Sequence, residues 1–121
     1  MYDVIFYKDR AGNEPIKEYI YELKAKAATS KQDRIQFEKI MAYIGALQEY
    51  GTRIGQPQVK HIEGSIWELR PLNNRIFFFY WQDNKFVLLH HFIKKSQKTP
   101  VREIERARSN LKDFLERSKQ P

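Results

Sequence analysis

Arg70, Arg75, His90 and Lys94 all fall within the stretch Ile66 to Lys95, and together they suit chemistry on a phosphodiester. An Arg guanidinium can hold a phosphate by two parallel hydrogen bonds and stabilise the charge that builds in the transition state. A His can move a proton to or from a ribose hydroxyl or a leaving oxygen near neutral pH. Phe77, Phe79 and Phe92 are interleaved with these residues and are candidates to stack on splayed bases. Lys95 and Lys98 follow as candidate RNA-binding contacts. With such a set, RNA could be cut without a metal, the 2′-OH acting as nucleophile. Each residue also has a plain structural reading. Arg70 follows Glu68 by two positions and could pair with it. His90 could be a hydrogen-bonded core His, the three Phe could be core, and the Lys residues could be solvated.

The elements that must position these residues are strands. Ile66 to Lys95 reads as strand, turn, strand, turn, strand, with Asn73-Asn74 and Asp83-Asn84 as the turns, because Asn and Asp tolerate positive φ. Gly64-Ser65 joins an earlier strand, Gln58 to Glu63, to the same meander. These turns predict the pairs Arg70 with Phe77, Phe77 with His90, and Arg75 with Phe92. They place His61, Glu63, Glu68, Arg70, Arg75, Phe77, Phe79, His90, Phe92 and Lys94 on one face. Ile62, Trp67, Leu69, Ile76, Phe78, Tyr80, Val87, Leu89 and Ile93 fall on the other, which helices must cover. His91 goes with the covered face as a core residue.

The rest of the chain supplies those helices. Tyr2 to Tyr7 is strand-like. Asn13 is a candidate cap for a helix with Pro15 in its first turn and Ile16, Tyr19, Ile20 and Leu23 at helical spacing. Ser30 opens a second helix, with Asp33 three residues on, and it ends before Gly51. Thr99 and Pro100 open a last helix with Ile104, Ala107, Leu111 and Phe114 on one side and a basic rim. The order strand, helix, helix, four strands, helix predicts an α+β fold: one domain over residues 1–121, a mostly antiparallel curved sheet, helices packed on one face.

Composition narrows the function classes. The chain has 121 residues and no Cys, which excludes disulfides and thiolate chemistry and fits a reducing cytoplasm. No apolar run reaches the roughly 20 residues of a membrane span, and no signal peptide is visible, so a cytoplasmic protein with no membrane association is expected. Three scattered His give no metal-ligand spacing, the five Gly form no phosphate loop, and Ser65 and Ser96 sit in predicted turns without an elbow motif. No metal or cofactor is therefore expected. The net charge is +7, and residues 85–121 carry ten Lys and Arg against four Asp and Glu. A polyanionic partner follows, either nucleic acid or an acidic protein.

The run WELRPLNNRIFFFYW, followed by LLHHFIKKSQKTPVREIERAR, resembles the HigB-like, phage-derived branch of the RelE/ParE superfamily of type II toxin–antitoxin toxins. The resembling residues are Glu68-Leu69-Arg70, Arg75-Ile76-Phe77, the segment Leu88 to Pro100, and Glu103-Ile104-Glu105-Arg106-Ala107. The Lys94 to Pro100 segment is the most specific part. The resemblance implies a RelE-like fold and a small basic endoribonuclease, an mRNA interferase that cleaves on the ribosome. It implies a cognate antitoxin, helix-turn-helix in type, joined in a toxin–antitoxin heterotetramer. By position, the catalytic set maps onto Arg70, Arg75, His90 and Lys94. Some relatives use a Tyr near the C-terminal end, and residues 82–121 contain none here. The ParE side of the superfamily shares the fold but poisons gyrase, so that activity stands as the alternative, with a basic nucleic-acid-binding module as a third.

Overall fold

The computed structural model describes residues 1–119. Its elements are β1 (Asp3–Phe6), α1 (Pro15–Lys26), α2 (Lys31–Tyr50), a short 3-10 turn (Gly51–Ile54), β2 (Val59–Glu63), β3 (Ile66–Leu69), β4 (Asn74–Tyr80), β5 (Lys85–Ile93) and α3 (Val101–Ser118). The sheet runs β1-β5-β4-β3-β2, with β1 parallel to β5 and the other neighbours antiparallel. This is an α+β fold with a mixed sheet, compatible with a RelE-like fold.

Local chemistry accounts for several boundaries. Ser30 Oγ accepts from the Asp33 N–H at 3.2 Å and starts α2. Gly51 ends it at φ 64, and a Cβ there would stand 2.9 Å from the Tyr2 ring. Asp83 and Asn84 turn at φ 50 and 60, and Gly64 at φ 50. Three expectations fail. Glu14 rather than Asn13 precedes α1, and its N–H donates to Glu18 Oε2. Pro100 rather than Thr99 precedes α3. Asn74 is not in a turn: it opens β4, and the positive φ of 58 falls on Leu72.

The displaced turn moves β3 by two residues, so Glu68 rather than Arg70 lies opposite Phe77. Because side chains alternate with period two, a two-residue shift preserves the faces. Phe77↔His90 and Arg75↔Phe92 pair as expected. The pairing then jumps to Phe78↔Leu88, so β5 bulges at Leu89. That extra residue turns Val87 and Leu89 to the side of Phe79, reversing their expected face. A second irregularity, between His61 and Glu63, sends Ile62 to the Phe77 side and His61 to the side of Trp67.

α1 and α2 cover one face, where Ile16, Ile20, Leu23, Ile40, Ile44 and Leu47 meet Leu69, Ile76, Phe78, Phe86 and Leu88. The expectation of helices on one face alone needs correction, because α3 packs on the opposite face. Ile104, Ala107 and Leu111 meet Phe77 and Phe92, while Leu111 and Phe114 meet Phe79, Val87 and Leu89. Three Phe on an open face would leave several hundred Å2 of apolar surface in water, which association with an amphipathic helix removes. Polar contacts fix α3 there. Asn110 Nδ2 donates to the Leu89 carbonyl at the bulge, and Arg108 pairs with Glu63 at 2.6 Å. Asp113 accepts from Tyr7 Oη, from Arg117 and from Arg10 Nε at 2.7 Å.

Candidate active site

α3 leaves one end of its sheet face uncovered, where β3 runs out, β4 begins and β5 ends. Glu68, Arg70, Arg75 and Lys94 meet there. Glu68 is 1 % exposed, an unusual position for a carboxylate unless cations surround it. Arg70 Nε stands 3.4 Å from Glu68 Oε1, close enough for an ion pair but without a well-formed hydrogen bond. Arg75 is 9 % exposed, and its Nη1 donates to the carbonyls of Leu72 at 2.7 Å and Asn74 at 2.9 Å. Burial lowers the Arg75 pKa, the Arg70 charge lowers it further, and Glu68 opposes both. Lys94 is lowered first by burial and then by the Arg75 charge. Its backbone N–H donates to the Asn73 carbonyl at 2.8 Å, which ties the end of β5 to the turn before β4.

Arg70, Asn73, Arg75, Lys94, Lys95 and Gln97 line an open cleft. Glu68 Oε2 and the Nε atoms of Arg70 and Arg75 are buried there without a hydrogen-bond partner. Lys95 continues into an adjoining cleft with Ser96 and Arg102. Lys98 lies exposed on the same connection to α3.

The expected set is therefore divided. Arg70, Arg75 and Lys94 come together. His90 shares their face but lies further along β5, beyond Phe92, and its Nε2 meets Glu103 Oε1 at 2.7 Å. It lines a separate cavity with Tyr7, Asp9, Arg106 and Asn110. Phe77, Phe79 and Phe92 are 0 %, 3 % and 9 % exposed under α3 and offer no open ring face for a base, so the stacking expectation is corrected to a core role. His91 lies partly buried on the face covered by α1 and α2, as expected: it stacks on Tyr19 at 4.1 Å, and burial lowers its pKa to about 4. Glu68 was expected on this face as a partner for Arg70, and Asn74 was expected in a turn with no part in the site. A polar residue opening an otherwise apolar strand was the available signal for Asn74. Among the described residues, no group of three His, Asp or Glu is close enough to hold a metal ion, and no helix is long and apolar enough to cross a membrane.

A mixed-sheet α+β fold that holds a basic cleft at one end defines the class. A family model described as phage-derived protein Gp49-like (DUF891) matches residues 27–112, from the end of α1 through most of α3. The chain belongs to this family, which is itself part of the RelE/ParE-like toxin family and is associated with toxin–antitoxin systems. Membership implies an antitoxin partner. No curated protein sequence matches the chain.

Proposed function

We propose that this chain is a HigB-like toxin of a type II toxin–antitoxin system, an endoribonuclease that cleaves mRNA on the ribosome in the cytoplasm without a metal and is neutralised by a cognate antitoxin. The observation that carries this reading is the gathering of Arg70, Arg75 and Lys94 on one open cleft beside buried Glu68. The 2′-OH attacks the adjacent phosphorus: the P–O2′ bond forms, the P–O5′ bond breaks, and a 2′,3′-cyclic phosphate and a 5′-hydroxyl result. Arg70 and Arg75 hold the non-bridging oxygens and stabilise their growing charge. Lys94, with its lowered pKa, gives its proton to the leaving 5′ oxygen more readily than an ordinary Lys. The 2′-OH proton passes to solvent, to which the cleft is open. Lys95 and Lys98 bind flanking phosphates.

Induced expression in a bacterial host tests the reading. Growth arrest with fragmented mRNA and intact DNA is expected, and Arg75→Ala should remove both while the protein stays folded. Arrest with double-strand DNA breaks would instead support gyrase poisoning, and no arrest would leave a basic nucleic-acid-binding module. The neighbouring open reading frame should encode a helix-turn-helix antitoxin that co-purifies as a heterotetramer and restores growth.

A further inference from the structure

We infer that Asn74 is the positioning residue of the cleft, and that through it the α1–α2 hairpin sets the placement of the Arg75 guanidinium. The inference rests on the ribonuclease reading of that cleft. Asn74 is 2 % exposed at the start of β4. Its side chain faces the helical hairpin, and alternation turns the next side chain, Arg75, to the cleft. The amide fills all four of its hydrogen-bonding positions. Oδ1 accepts from Tyr19 Oη at 3.1 Å and from His91 Nε2 at 2.9 Å. Nδ2 donates to Gln36 Oε1 at 2.6 Å and to the Pro71 carbonyl at 3.2 Å. One side chain thus joins α1, α2, β5 and the turn before β4.

That turn carries Arg75. The Asn74 N–H also donates to the Pro71 carbonyl, at 3.0 Å, so two bonds to one oxygen close a turn in which Leu72 holds a φ of 58. A Leu rarely adopts that conformation unless its surroundings impose it. The carbonyls of Leu72 and Asn74 are the two acceptors of Arg75 Nη1. The amide therefore fixes the turn, the turn aims two carbonyls, and the carbonyls hold one arm of the guanidinium while Nε remains without a partner. Ile76 and Phe78, which follow on the same side of β4, are apolar. An apolar residue at position 74 would match these neighbours in packing but would strip a hydrogen-bond partner from Tyr19, Gln36 and His91 and from the turn, so it is the hydrogen bonding rather than packing that Asn74 supplies.

The test uses remote members of the network and the intact chain. Gln36→Leu removes an acceptor, Gln36→Glu keeps one, and Tyr19→Phe removes only a hydroxyl. Steady-state cleavage of a defined mRNA on programmed ribosomes gives kcat and KM, and the side-chain nitrogen NMR signals of Arg75 report rotation of its guanidinium. Gln36→Leu and Tyr19→Phe should lower kcat about tenfold, shift KM by less than about twofold, and free the Arg75 rotation, because small misplacement of a charge-stabilising group costs rate more than binding. Gln36→Glu should behave as wild type. Wild-type kcat with unchanged Arg75 signals in the first two variants would overturn the inference. So would an equal loss in Gln36→Glu, which would point to helix packing rather than to this hydrogen bond. If the wild-type chain itself cleaves no RNA, the ribonuclease reading fails separately, and the Arg75 signals in the Gln36 and Tyr19 variants still decide the positioning role.

Discussion

One face of the sheet carries two regions built by the same alternation and put to opposite uses. Under α3, Phe77, Phe79 and Phe92 are core, and the polar groups beside them are met: His90 by Glu103, the Leu89 carbonyl by Asn110, Asp113 by Tyr7, Arg10 and Arg117. Beyond the start of α3, Glu68 and Arg75 are nearly as buried and Arg70 partly so, yet one polar atom of each has no hydrogen-bond partner. Basic residues occur in both regions, so charge alone does not mark the site. Three cations gathered on one open cleft do, because that is where an incoming phosphate meets concentrated positive charge.

Substitutions should separate the regions, beginning with the largest effect. Phe77→Ala opens a cavity in the covered region and should cost about 3–5 kcal/mol in denaturant unfolding. Loss of RNA cleavage in that variant at unchanged stability would break the division. Arg75→Lys keeps the charge but loses the planar fork, and should lower cleavage by about 100-fold while changing stability by less than about 1 kcal/mol. A large stability loss would make Arg75 part of the core instead. His90→Asn should do the reverse: a loss of about 1–2 kcal/mol from the broken contact with Glu103, and a smaller effect on cleavage than Arg75→Lys. A fully folded but inactive His90→Asn protein would return His90 to the catalytic set.

Two pH effects sharpen the same contrast on the supporting side. His91 titrates at about 4 in the fold against 6.5 when free, so the unfolded chain binds a proton that the fold refuses. Its stabilisation is complete above 6.5 and is lost as pH falls toward 4, at a slope of at most about 1.4 kcal/mol per pH unit. Unfolding midpoints of His91→Gln across that window should lose the slope. Asp113 is pulled from 3.8 to about 2, chiefly by its hydrogen bond from Arg117 and then by that from Tyr7. Its contribution is present above 3.8 and disappears as pH falls through about 2, a smaller effect that Asp113→Asn should remove from acid unfolding curves.

Local chemistry was legible because it depends on neighbours in the chain. Ser30, Gly51, Gly64 and Asp83-Asn84 act through their own φ or through a hydrogen bond a few residues away. Period-two alternation brought Arg70, Arg75 and Lys94 to one face even though the β3 register was off by two. What failed needed distant partners. The bulge at Leu89 follows from how β5 meets both β4 and α3, and it reassigned Val87 and Leu89. Asn74 looked like a turn former until Tyr19, Gln36 and His91 came to surround its amide.

Residue types and spacing by themselves determined the order of elements, the α+β class, the family resemblance and the side of the sheet on which three cations gather. Only the tertiary structure decided which part of that side is a site. An amphipathic α3 and an aromatic sheet face are each readable alone, but whether one covers the other depends on burying apolar area between segments remote in sequence. That single docking event turned Phe77, Phe79 and Phe92 into core, drew His90 to Glu103, and left Arg70, Arg75 and Lys94 lining an open cleft.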